Sequence, residues 1–66
     1  MVITEKQIEE LVPAIPNIRA LVEADDFQEL QTLLDLAIVD ALDSSYNSTA
    51  ESRRLQGLYD ELYNQN

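Results

Sequence analysis

The side chains of this chain best suited to chemistry are carboxylates. Thirteen Asp and Glu stand against four Lys and Arg, for a formal charge of −9, and there is neither histidine nor cysteine. Imidazole and thiol are the groups most often used for nucleophilic and acid–base catalysis near neutral pH. They are also the usual ligands of zinc and softer metals. Carboxylate pairs and hard-cation sites remain to be weighed. Glu9–Glu10 and Asp25–Asp26 are adjacent acids, but neighbours on a helix point about 100° apart and do not readily form a shared-proton dyad. Asp40, Asp43, Ser44 and Glu51 are oxygen donors spanning the length of an EF-hand loop. The match is poor, because the third position holds Leu42 and the position that needs glycine holds Ser45. No catalytic residue, no metal site and no cofactor is expected, and the expected activity is contact with another macromolecule.

Two surfaces carry that expectation. On a helix through residues 26–43, Asp26, Glu29, Leu33, Leu36, Asp40 and Asp43 fall within an arc of about 100°. Two leucines ringed by four carboxylates form a docking strip: the leucines supply burial, and the acids steer a basic partner and reject acidic ones. The residues expected to carry it are Glu29, Leu33, Leu36 and Asp40. The competing reading packs both leucines under the N-terminal helices. The second surface lies on the last helix, where Tyr59 and Tyr63 are i, i+4 neighbours, Gly57 permits close backbone approach, and Arg53 and Arg54 are expected to meet acids of the third helix on another copy, making the surface self-complementary. There the competing reading makes Tyr59 core and the arginines solvated.

These residues need helices to position them, and four can be read. Thr4 with Gln7 fits a capping box, and Ile8, Leu11, Val12 and Ile15 follow with helical spacing over 4–12. Pro13 lacks an N–H and is expected to push Val12 out of the α region, stopping or kinking the helix near Leu11. A second helix over 16–24 starts at Pro16, a favoured first helical residue. The third, 26–43, is capped by Asp25 or Asp26. Its Phe27, Leu30, Leu34, Ala37, Ile38, Ala41 and Leu42 share one face, and Leu33, Leu36 and Val39 lie at or beyond its edge. Apolar on more than one side, it is expected at the centre of the domain. Ser44–Asn47 is a polar turn, and Ser48 with Glu51 suggests a second capping box for a helix over 49–63, striped by Leu55, Leu58, Tyr59 and Leu62. The fold class is therefore all-α, a compact bundle of three to four short helices in a single domain over 1–66. The extreme ends, Met1–Val2 and Asn64–Asn66, read as loose.

Leu, Ile, Val and Phe occupy twenty positions, enough for one core. Domains of this size gain little net stability from burial alone, so self-association is expected to help, a homodimer being its simplest form. The scarcity of Lys and Arg disfavours direct nucleic-acid binding and anionic membrane surfaces. No apolar run suits a membrane span or a signal peptide, and a cytoplasmic location is the default. The cysteine-free, Asn/Gln-containing composition suits a bacterial or phage protein. Small acidic four-helix domains include acyl carrier proteins, which use the serine of an Asp-Ser-Leu motif at a helix start; Asp43–Ser44 runs into Ser45–Tyr46 and a polar turn, and the likeness stops at size and charge. The leading expectation is a non-enzymatic, self-associating protein-interaction module that meets a basic or apolar groove on another protein. The alternative is a nucleic-acid mimic, since no Lys or Arg but eight carboxylates lie between Ala20 and Ser52 and could occupy the basic groove of a DNA- or RNA-binding protein.

Overall fold

A computed structural model describes all residues 1–66. Four helices follow one another without strands: α1 (Glu5–Leu11), α2 (Ile18–Glu23), α3 (Phe27–Asp40) and α4 (Ala50–Gln65). The all-α bundle of short helices is thus the fold, and no helix is long and apolar enough to cross a membrane.

Each boundary has a local cause. Thr4 caps α1 through its side-chain oxygen, which accepts the Gln7 amide at 3.1 Å, while Gln7 Oε1 accepts the Thr4 amide at 3.0 Å. The helix stops at Leu11, as Pro13 requires. Val12, however, stays helical (φ −52°, ψ −44°), contrary to the expectation that the proline would expel it. The Leu11 carbonyl accepts from both Ala14 and Ile15, at 3.0 and 2.7 Å, and this tight turn holds Val12 in a region that is disfavoured before proline but not closed to it. The second helix is shorter than 16–24, because Pro16 and Asn17 belong to the turn that precedes it.

The adjacent acids Asp25 and Asp26 punctuate the chain. Asp25 adopts a left-handed conformation (φ 55°), its amide donates to the Val22 carbonyl, and the Asp26 amide donates to the Leu21 carbonyl, both at 3.0 Å. This is the Schellman ending of a helix, with aspartate where glycine is usual. Asp26 then caps α3 by accepting the Glu29 amide at 3.2 Å. One acid ends a helix and the next begins another.

The third helix ends at Asp40, short of the expected residue 43. The Asp43 carboxylate accepts the amides of Ser45 and Asn47, each at 2.9 Å, and such local acceptors compete with helix continuation. Thr49, not Ser48, caps α4, and Ser52, not Glu51, completes the capping box. The hydroxyl of Thr49 decides between these one-residue alternatives, because it also donates to the Ala41 carbonyl at 2.5 Å. A single side chain thereby satisfies the end of α3 and the start of α4.

Ten buried residues form the core: Ile8, Leu11, Ile15, Ile18, Leu21, Leu30, Leu34, Leu55, Leu58 and Leu62. The third helix packs against both α4 and α2, and α1 against α2. The chain ends are not loose. The Asn66 side chain accepts the Val2 amide at 2.7 Å and donates to the Val2 carbonyl at 3.0 Å, as a neighbouring strand would. Beneath it, the Gln7 and Gln65 amides bond reciprocally at 2.8 and 3.1 Å. Terminal position alone suggests loose ends; amide side chains that can donate and accept at once join them instead.

Candidate docking surface

The face of α3 opposite Leu30 and Leu34 points away from the core. Leu36 is 56% exposed and Val39, about 60° from it around the helix, is 50% exposed. Leu33 lies between the two faces: it is half-buried and packs against the core. The leucine pair is therefore split. Leu33 follows the interior reading in part, and Leu36 projects outward.

Beside Leu36 a groove runs between α3 and the Pro13–Asn17 turn. It consists of two adjoining hollows of about 280 and 290 Å³ that share Ala14, Ala37 and Asp40. The first adds Leu33, Leu36 and the turn residues Ile15 and Pro16; the second adds Pro13, Ala41, Leu55 and Glu51. Small alanines on both walls keep the groove open. The sequence reading missed Val39 as an exposed partner of Leu36, although its place at the edge of the apolar face hinted at this. The opposite wall at Ala14 and Pro16 had no signal, since it depends on packing between distant segments.

The carboxylates around the strip divide into two kinds. Asp26 caps α3 through one oxygen, and Asp43 lies beyond the helix with its carboxylate engaged by the turn. The expected ring of four acids reduces to Glu29 and Asp40, whose carboxylates make no hydrogen bond or ion pair. Asp40 lines both hollows. Glu51 at the far end is paired with Arg54 at 2.5 Å, and no lysine or arginine lines the groove. Nowhere do three acidic side chains converge as a metal site would require.

The second expected surface does not come together as one patch. Arg54 pairs with Glu51 and donates to the Glu10 carbonyl at 3.2 Å. That carbonyl has no helical donor, because the Ala14 amide turns to Leu11, so Arg54 caps the end of α1. Nine residues on, Tyr63 lies about 180° away around α4 and is 64% exposed. Tyr59 is half-buried against the core, beside Gln28, Thr32 and Asp35 of α3. Open space surrounds Gly57, so no close backbone approach explains it within this chain.

Two ion pairs shift the titration of their members. The Arg54 guanidinium, hydrogen-bonded to Glu51, holds that carboxyl below its ordinary range, and Arg19 does the same to Glu5. A depressed folded-state value stabilises the fold above the unfolded-state value, and that contribution disappears as pH falls through the folded one. Glu51→Gln should therefore lower the melting temperature slightly at pH 7, and the difference from wild type should vanish in acid. Thermal melts across that range check the sign; a gap that widens in acid would contradict the pairing.

The fold and this groove define a small acidic helical domain with one apolar surface left uncovered. The chain matches no protein-family model, and no curated protein or solved structure gives a significant match to it.

Proposed function

We propose that this protein is a non-enzymatic interaction module that docks a partner protein on the outward strip of α3 and the adjoining groove. The observation that carries this reading is the exposure of Leu36, which lines an open apolar hollow, with Val39 also exposed three residues further along the same helix. Isolated surface leucines need no explanation, but an apolar strip continuous with a groove is the usual form of a helix or peptide site. The absence of histidine and cysteine from the chain supports the non-enzymatic part.

The experiment is selection of binders from a displayed peptide library on immobilised wild-type protein, followed by rebinding to Leu36→Asp. Enriched peptides should lose the variant while it keeps wild-type helicity. Peptides that bind both proteins equally would overturn the reading.

The acidic run from Ala20 to Ser52 favours a second reading, mimicry of a nucleic acid. The two differ in salt response. Mimicry through many exposed charges weakens steeply as salt rises, whereas docking that keeps its apolar anchors weakens less.

A further inference from the structure

On the reading that the α3 groove is a docking site, we infer that its occupant is a cationic amphipathic segment of a different protein, seating two apolar side chains in the two hollows with an arginine or lysine between them over Asp40. The two hollows adjoin along Leu33 to Ala41, a stretch of about 12 Å at 1.5 Å per residue, or about two helical turns. That length suits two anchors one turn apart on a partner helix. Their shared boundary holds Asp40, whose carboxylate has no partner within the chain. A guanidinium placed there gains a charge-assisted, bidentate contact, while its aliphatic stem lies on Ala14 and Ala37.

Charge also decides against a second copy of this chain meeting the groove with the same face. Every charged residue lining the groove is acidic, Glu29 extends the same strip, and each molecule carries −9. Two such faces would bring like charges together at close range, which is costly where water is excluded. Arg54, which reaches Glu51 at the far end of the groove, is held by Glu51 and the Glu10 carbonyl. The self-association expected from size and from the last-helix surface therefore finds no complementary charge where two such faces meet.

The test uses three synthetic helical peptides of 14 residues: one with a leucine stripe and Lys/Arg elsewhere, one with the same stripe and Glu elsewhere, and a scramble of the cationic peptide that destroys the stripe. Binding to the full chain is measured by titration calorimetry, and the site is located by NMR shifts at Ala14, Leu33 and Ala37. The striped cationic peptide should bind about tenfold or more tighter than either other peptide, shift those three residues, and lose about threefold or more on Asp40→Asn. If the acidic striped peptide binds as well and shifts the same residues, the cationic assignment fails while the docking site stands. If the scramble binds equally, or no peptide shifts those residues, the groove is not the site and both readings fail.

Discussion

Leu34→Ala should lower the melting temperature by at least ~10 °C, whereas Leu36→Ala, two residues along the same helix, should leave it within ~4 °C. Leu34 is 1% exposed and packs in the core, while Leu36 is 56% exposed. Truncating a fully buried leucine costs roughly 2–5 kcal/mol, the lost transfer energy plus the cavity left behind. A domain of this size holds only about 3–10 kcal/mol in total. The core variant therefore forfeits a large part of its stability, and the surface variant changes it by about 0.5 kcal/mol or less. Circular dichroism melts of the two proteins side by side check the register of α3. Equal losses would mean that Leu36 is interior and that the strip does not exist.

Leu36→Asp should weaken binding of a selected ligand by roughly 30- to 700-fold, the equivalent of about 2–4 kcal/mol. The substitution removes an apolar anchor and adds a charge that must be desolvated beneath the partner. The folded state feels little of this, since the new carboxylate remains in water. Tyr63→Asp is the matched control: Tyr63 is also exposed but stands on α4, apart from the groove, and its replacement should leave affinity within about twofold. Comparable losses from both variants would point to a general charge effect and not to a docking strip.

Much of the fold was legible in local sequence chemistry. The Thr4–Gln7 capping box, the stop imposed by Pro13 and the apolar period of α3 each depend on residues within a turn or two of one another. The misread start of α4 and the misread chain ends depend on longer reach. Ser48 with Glu51 and Thr49 with Ser52 are both plausible caps in one dimension, and the contact from Thr49 to Ala41 separates them. The ends looked mobile because nothing local shows that Asn66 can bond both backbone groups of Val2.

The candidate site divides in the same way. Leu36 could be placed outward by its angle from Leu30 and Leu34 alone, and helical angle also sets Arg54 opposite Tyr63. The groove could not be foreseen, because its second wall is the Pro13–Asn17 turn, more than fifteen residues away in sequence. Nor could the loss of Asp26 and Asp43 from the acidic ring, because both carboxylates are drawn into backbone hydrogen bonds that form only once the helix ends are set.

Because the chain has no cysteine, a single thiol at position 36 reports directly on whether this surface is open alone and covered in a complex. Leu36→Cys should react with a thiol reagent at the rate of an unfolded control when free, and at least ~10-fold more slowly when saturated with a selected ligand. A thiol already protected in the isolated protein, or one still fully reactive in the complex, would contradict docking through α3.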